Sequence, residues 1–252
     1  LVRSRGLGDV YKRQVFKYRR ILSLRHDERF DGLPSPGDWS LINWSRGNNW
    51  NLMNPPLILT TDRLFATGQF QNWRGGLSTE ALGHAEDRAL LFAAWLMRTQ
   101  TKPGFPLSYL SGPAGPMGTV SGLSMMPYIR EGRRIWGRQA YDQPAFLMRE
   151  QDVRWDIPAS RPVDRTAIAM THYDLDIQGC NYRNWQDPGE ASKAGLDGYH
   201  VKPVAVPLEA LIPRGLENLL MGGKAIAVSH IVNGVTRIHY SEWNIGGAAG
   251  VT

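Results

Sequence analysis

The C-terminal part of the chain restricts its fold most strongly. Residues 218–221 form a short apolar segment that ends at the paired glycines Gly222 and Gly223. Such a segment predicts a buried strand that the glycines stop. Residues 241–250 are mostly small, and they predict a helix that packs closely against a neighbouring sheet. A strand followed by a packing helix indicates a mixed α/β fold.

Residues 78–100 give the clearest helical pattern. Ser78 and Thr79 suit the N-cap, and Glu80 suits the first turn. The Pro-Gly pair at 103–104 follows the predicted end of the helix. Apolar residues recur at helical spacing and predict one buried face; they are Leu82, Ala85, Ala89, Phe92 and Leu96.

The remaining pattern mixes strands with loops. We predict a short strand within 38–44, a buried strand at 167–172, and an edge or bulged strand at 201–206, which contains proline. Residues 208–212 predict a short turn or helix, and 103–122 and 231–239 predict loops, the latter with an extended piece. For the tryptophans Trp39, Trp44 and Trp50, packing in a core or cap is favoured over lining a substrate cleft.

The first residues call for a separate interpretation. Residues 9–14, Asp-Val-Tyr-Lys-Arg-Gln, back-translate into a DNA sequence that resembles the transposase end used to prepare sequencing libraries. We therefore interpret residues 1–14 as a sequencing or cloning scar, to be left out of fold reasoning. A natural basic N-terminal arm is the alternative.

Charge, hydropathy and cysteine content exclude several classes. The segment 1–14 has four Lys or Arg and one Asp, so without it the formal net charge falls from +6 to +3 and does not indicate nucleic-acid binding. The longest apolar run, 89–97, is shorter than the roughly 20 residues of a membrane span. The single Cys180 excludes an internal disulfide and a cysteine-rich metal site, and we expect no metal.

Motifs are concentrated in the second half of the chain. Residues 128–137 read Tyr-Ile-Arg-Glu-Gly-Arg-Arg-Ile-Trp-Gly, and 213–224 read Pro-Arg-Gly-Leu-Glu-Asn-Leu-Leu-Met-Gly-Gly-Lys. Ser-His-Ile-Val-Asn-Gly-Val-Thr-Arg follows at 229–237, and Asn-Ile-Gly-Gly-Ala-Ala-Gly at 244–250. In this order and spacing the motifs resemble those of the FAD-dependent oxidoreductases, flavoproteins related in fold to fumarate reductase and glutathione reductase. The resemblance covers roughly half of the chain.

The resemblance implies a mixed α+β fragment of an α/β enzyme. Residues 15–205 would form a substrate or cap region with a β-sheet and the long helix. Residues 206–252 would supply the last strand and helix of a Rossmann-like FAD-binding domain. Such enzymes hold the ADP half of FAD with a G-x-G-x-x-G turn, which the sequence lacks. We therefore expect truncation at both ends and weak or no FAD binding by this fragment.

FAD is the cofactor that the resemblance implies. Glycines allow a backbone to approach a cofactor closely, and the N-terminus of the last helix favours the negative charge of a reduced flavin. An ordinary glycine turn followed by a packing helix is the alternative. The candidate cofactor-binding residues are Gly222, Gly223, Lys224, Ser229, Asn233, Gly234, Asn244, Gly246 and Gly247.

Basic side chains are the candidates for proton transfer and substrate binding. A histidine beside the flavin can take a proton, and arginine suits recognition of a carboxylate. The candidate catalytic residues are His230, Arg237 and His239, and the candidate substrate-binding residues are Arg130, Arg134 and His172. Structural histidines, and a salt-bridge network centred on Glu131, are the alternatives.

Two positions depart from the family pattern. Gln178 stands where a histidine is expected, and because glutamine does not titrate, this argues against a proton relay there. Gly247 replaces the usual glutamine, so a cofactor contact from that side chain would be lost.

The favoured function is hydride transfer from an unidentified small organic molecule to flavin. The alternative is a non-catalytic carbohydrate-binding or protein-interaction module, since aromatic faces stack on sugars and proteins. The substrate, electron acceptor, oligomeric state and compartment are left open by the sequence.

Overall fold

The computed structural model divides into two compact units, residues 1–128 and 129–252. The predicted scar, Trp50, Glu131, Gln178 and Cys180 lie outside the residues that the structure describes. The described residues are 15–17, 19–24, 35–44, 47–49, 57–101, 103, 106–130, 132–158, 161–176 and 201–252.

Within its described residues, the first unit contains a small sheet and two α-helices. Strand β1 (Arg20–Leu22) pairs antiparallel with β2 (Trp39–Ser40), so the strand predicted within 38–44 is shorter than that range. Helix α1 spans Thr61–Ala66, and α2 spans Thr79–Gln100. Residues 106–122 form turns and coil, as predicted.

Helix α2 confirms the sequence prediction closely. The Ser78 hydroxyl caps its N-terminus by accepting from the Ala81 N–H at 3.2 Å. Leu96 is buried, and the other residues of the predicted face are partly buried. Trp44 packs in the core with Leu96 and Phe16, and its ring centroid lies 6.1 Å from that of Phe92. Core packing is therefore confirmed for Trp44.

The second unit is built on an antiparallel pair of strands. Strand β3 (Ala167–Thr171) pairs with β4 (Val204–Pro207), and the register shifts between Ala167 and Ala169. The shift confirms the prediction of a bulge at this pair, although β4 begins only after Pro203. The prediction that β3 is buried is wrong in part: because β3 has one strand neighbour, Met170 remains 60% exposed.

The described residues of this unit also form three α-helices and several short 3₁₀ turns. Helix α3 spans Glu150–Val153, α4 spans His230–Thr236 and α5 spans His239–Val251. The 3₁₀ turns span Val163–Thr166, Leu208–Ala210 and Gly223–Ala225. The turn at Leu208–Ala210 confirms the prediction for 208–212, and α5 begins two residues before the predicted 241.

The core of the second unit gathers its apolar residues around α4. Burying each large side chain contributes roughly 1.5–3 kcal/mol. The largest fully buried apolar side chains include Phe146, Met148, Leu175, Leu211, Ile226 and Ile245.

Two predictions in this unit are wrong. Residues 218–222 are coil rather than a strand, because the Met221 N–H bonds to the Leu211 carbonyl (2.8 Å) but no continuous ladder forms in the described part of the chain. Residues 230–236 form α4 rather than a loop, since every residue of this helix is buried and packing outweighs its weak helix propensity. Among the described residues, no helix is both long and apolar enough to cross a membrane.

Candidate functional site

Hydrogen bonds join the two motif segments of the second unit. Residues 129–135 and residues 224–233 are joined by three side chain–backbone bonds and one backbone–backbone bond, and we call them together the motif cluster. The bonds run from Lys224 Nζ to the Ile129 carbonyl (2.8 Å), from Asn233 Nδ2 to the Arg130 carbonyl (3.1 Å), from Arg134 Nε to the Val228 carbonyl (2.8 Å) and from the Ile135 N–H to the Ala225 carbonyl (2.9 Å). The segments that carry the sequence resemblance therefore form one structural cluster.

The glycine pair lies against helix α5. A Cβ added to Gly222 would lie 3.4 Å from the Cα of Gly246, which is ordinary van der Waals contact. Gly223 has a φ of 67°, in the left-handed region that favours glycine. A Cβ at Gly246 or Gly247 would meet nothing within 4 Å, so open space adjoins this side of the helix. We call the exposed backbone of Gly222, Gly246 and Gly247 the glycine surface.

Lys224 follows the glycine pair and ties it to its surroundings. Its ammonium bonds to the Ile129 carbonyl and lies 3.9 Å from the Glu242 carboxylate. Sequence reasoning missed Glu242, although an acidic residue in the first turn of a helix is a recognisable signal. The ammonium of Lys224 therefore contributes to packing within the second unit.

Helix α4 holds several candidate residues inside the core. The Ser229 hydroxyl caps the helix by accepting from the Val232 N–H at 3.2 Å. His230, Asn233 and Gly234 are all buried. These contacts give Ser229, Asn233 and Gly234 clear structural roles in placing α4.

Arg237 follows α4 and is also buried. Its Nη2 donates to the Asp176 carbonyl at 2.6 Å and to the Asp176 carboxylate at 2.9 Å. The Arg237 side chain is only 3% exposed, whereas that of Asp176 is 31% exposed. The guanidinium therefore anchors the segment after β3, and Asp176 is a partner that the sequence did not reveal.

The start of α5 lies along β3 and the residues that follow it. The Tyr240 hydroxyl donates to the His172 carbonyl, and the hydroxyls of Thr171 and Ser241 bond to each other. Asn244 Nδ2 donates to the Met170 carbonyl at 3.3 Å. These contacts fix α5 on the sheet and occupy one amide N–H of Asn244.

Tyr240 is a second residue that sequence reasoning missed. Burial raises the pKa of its phenol most strongly, the Thr171 hydroxyl lowers it, and the Asp174 charge raises it further. The net pKa lies above the ordinary value of 10.0, so the neutral phenol is favoured. Tyr240 is therefore a neutral hydrogen-bonding group near neutral pH.

The candidate histidines are not placed alike. His230 begins α4 and is buried, whereas His239 begins α5 and is exposed. His172 is exposed at the end of β3, and the residue after His239 bonds to its carbonyl. The structure thus brings His172 and the start of α5 together, while His230 lies within the core.

A cluster of cofactor motifs beside a glycine-rich helix in an α/β unit is typical of nucleotide-cofactor oxidoreductases. The family model described as FAD dependent oxidoreductase matches residues 11–252, and the chain belongs to this family. FAD is the family's cofactor, and its chemistry is oxidation and reduction. Comparison with curated proteins gave no match, and neither did comparison with solved structures.

The glycine surface fits a bound flavin cofactor. Apart from chain neighbours and the backbone of α5 itself, no heavy atom of the described residues lies within 4 Å of a Cβ added at Gly246 or Gly247, so a cofactor could approach the exposed backbone there. Ile238 gives α5 no side-chain cap, and the dipole of the helix favours a negatively charged group near its N-terminus. Glu242 in the first turn opposes negative charge there, and its ion pair with Lys224 offsets this effect.

Proposed function

We propose that this chain forms the flavin-facing part of an FAD-dependent oxidoreductase that removes a hydride from an organic substrate. The contact between Gly222 and Gly246 carries the proposal, because it unites the two glycine motifs in one exposed backbone surface. When bound, FAD supplies an acceptor for the hydride. Gly222, Gly223, Gly246 and Gly247 would hold the cofactor, while the buried residues of α4 keep this surface in position.

Among the candidate catalytic residues, we assign proton transfer to His239. It is exposed at the start of α5, whereas His230 is buried and Arg237 is ion-paired with Asp176. A neutral imidazole can accept a proton near neutral pH. Arg237 is then a positioning residue, since it anchors the segment that begins at His172.

We assign substrate binding to Arg130, Arg134 and His172. Arg134 uses its Nε to bond the Val228 carbonyl, which holds the guanidinium on the motif cluster. An arginine that is fixed in this way is suited to a carboxylate of the substrate. The substrate would thus be an organic molecule that bears an anionic group.

The division into a cap region, 15–205, and a flavin-binding part, 206–252, remains part of the proposal, as does the scar at 1–14. Strand β3 belongs to the first of these parts and pairs with β4, whose last two residues, Val206 and Pro207, belong to the second. The compact unit 129–252 therefore contains the flavin-binding part and the adjoining portion of the cap.

The test is whether the protein expressed from its complete natural gene binds flavin. The purified protein should show a flavin absorption spectrum. Gly246→Leu should lower the flavin content severalfold without unfolding the protein, because its side chain enters open space. Gly83→Leu is the matched control, since Gly83 also lies in a helix and its added Cβ meets nothing within 4 Å. A colourless folded protein, or equal flavin content in both variants, would contradict the proposal.

A further inference from the structure

A cleft of about 660 Å³ lies in the second unit and adjoins the motif at 213–220. Its lining includes none of the glycine-surface residues. It is lined by Arg138, Ile212 and Pro213 and by the chain from Gly215 to Leu220. The cleft therefore involves the part of the motif that the flavin proposal leaves unused.

The floor of the cleft is held by backbone hydrogen bonds. The Arg138 N–H donates to the Ile212 carbonyl at 2.9 Å, and the Arg214 N–H donates to the Trp136 carbonyl at 2.8 Å. Gly137 lies between them, buried so tightly that an added Cβ would stand 2.5 Å from the Glu209 carbonyl oxygen. The position of Arg138 on this floor is therefore well defined.

The chain from Gly215 to Leu220 forms a wall of the cleft in which leucines flank the polar side chains of Glu217 and Asn218. Leu216 is 50% exposed and Leu219 is 45% exposed, and Leu220 is partly buried beside them. Gly215 makes the turn into this wall with a φ of 79°. Exposed leucines on one side of a cleft gain contact when an apolar molecule enters it.

Arg138 supplies the charge of the cleft. Its Nη2 lies 3.7 Å from the Glu209 carboxylate, which is an ion pair but is longer than a hydrogen bond. Glu209 is itself buried and accepts from the Thr166 hydroxyl at 2.6 Å, and the Thr166 oxygen lies 2.9 Å from that of Tyr141. Glu209 thus attracts the guanidinium, while the Arg138 side chain is 49% exposed and can present its planar donors to a carboxylate.

We propose that this cleft binds a small organic monoanion, a carboxylate on an apolar body. Arg138 binds the carboxylate, and Leu216 and Leu219 contact the body. Glu217 also lines the cleft, and its charge disfavours ligands with several negative charges. The proposal is independent of flavin binding, because it concerns residues outside the glycine surface.

Equilibrium dialysis of the whole chain against radiolabelled octanoate tests the proposal. Octanoate should bind, and octylamine, which has the same apolar body and the opposite charge, should bind at least tenfold more weakly. Arg138→Gln should weaken octanoate binding about tenfold, since charge-assisted hydrogen bonds are lost. Arg165→Gln, at an exposed arginine outside the cleft lining, should bind octanoate like the unmodified chain.

A second variant guards against a failure of Arg138→Gln to fold. Leu219→Glu changes an exposed side chain and places another carboxylate in the wall, so it should abolish octanoate binding while the chain stays folded. Octanoate binding that is absent, equal to that of octylamine or unchanged in Leu219→Glu would overturn the proposal. None of these measurements depends on flavin, so their outcome neither supports nor contradicts the proposed oxidoreductase function.

Discussion

The side chain of Asn233 donates a hydrogen bond to the backbone carbonyl of Arg130 at 3.1 Å, across 103 residues of sequence. Asn233 is 1% exposed, so this bond lies inside the second unit. It fixes the arginine-bearing segment to α4 and so sets where Arg130 and Arg134 stand relative to the glycine surface. The buried amide of Asn233 is thus one of four groups whose hydrogen bonds hold the candidate site together.

Replacing Asn233 with alanine should destabilise the second unit. The Arg130 carbonyl would lose its donor in a buried place, which costs about 1–3 kcal/mol. Urea denaturation of Asn233→Ala should show this loss in the free energy of unfolding. Asn244→Ala is the control, because its amide bonds to the Met170 carbonyl at an exposed position and its loss should cost less. Equal effects of the two changes would contradict the assigned role of Asn233.

Gly137 is a second position where the structure allows little change. An added Cβ would lie 2.5 Å from the Glu209 carbonyl oxygen and 3.1 Å from the Phe146 Cβ. The backbone at Glu209 cannot move aside as a flexible side chain can. Gly137→Ala should therefore lower the free energy of unfolding by about 3 kcal/mol. Gly132→Ala is the matched control, since its Cβ would meet nothing within 4 Å. Thermal unfolding should show a large fall in Tm for Gly137→Ala alone.

Local patterns were sufficient to predict some of the elements. The regular apolar spacing and the Ser78 cap predicted α2, and the run of small residues predicted α5. Helix α4 could not be predicted in this way, because its β-branched residues and Gly234 disfavour a helix in isolation. Its complete burial, which depends on the whole unit, outweighs that preference.

The candidate site was predictable only as a set of motifs. Their order indicated a common family, whereas the contact between 129–135 and 224–233 was not predicted and is seen only in the hydrogen bonds of the structure. No motif indicated that Asp176, Tyr240 and Glu242 would be partners of candidate residues. Tertiary packing places them in contact with Arg237, His172 and Lys224. A motif indicates which segments matter, whereas the partner of each side chain is set by the fold.

The first unit should lose stability in acid because of Asp38. Burial by itself raises the pKa of this carboxyl, but the N–H groups of Ser35 and Leu24, each at 2.9 Å, and the Arg20 guanidinium at 3.0 Å outweigh it. The folded-state pKa therefore lies below the ordinary value of 3.8. The resulting stability is present above that value and is lost as the pH falls through the folded-state pKa.

Asp38→Asn tests this acid dependence. The variant should lose about 1–3 kcal/mol at neutral pH, since hydrogen bonds to a charged group are lost. The difference from the unmodified chain in urea denaturation should shrink as the pH falls below 3.8. Asp87→Asn, at an exposed aspartate of α2, controls for the change in net charge. A difference that stays constant with pH would contradict the role of the Asp38 carboxylate.

Tyr240 should make the second unit sensitive to alkali. Its folded-state pKa is raised above 10.0 by burial and by Asp174, so the unfolded chain loses its phenolic proton first. Stability from this group is therefore complete below pH 10.0 and is lost as the pH rises through the folded-state pKa. Tyr240→Phe should weaken that alkaline loss in urea denaturation, and at neutral pH it should cost about 1 kcal/mol for the bond to His172. Tyr109→Phe, at a tyrosine that is 43% exposed against 48% for Tyr240, controls for removal of a hydroxyl. If Tyr240→Phe and Tyr109→Phe both lose stability in alkali as steeply as the unmodified chain, the contact of Tyr240 with the end of β3 does not cause the alkaline loss of stability.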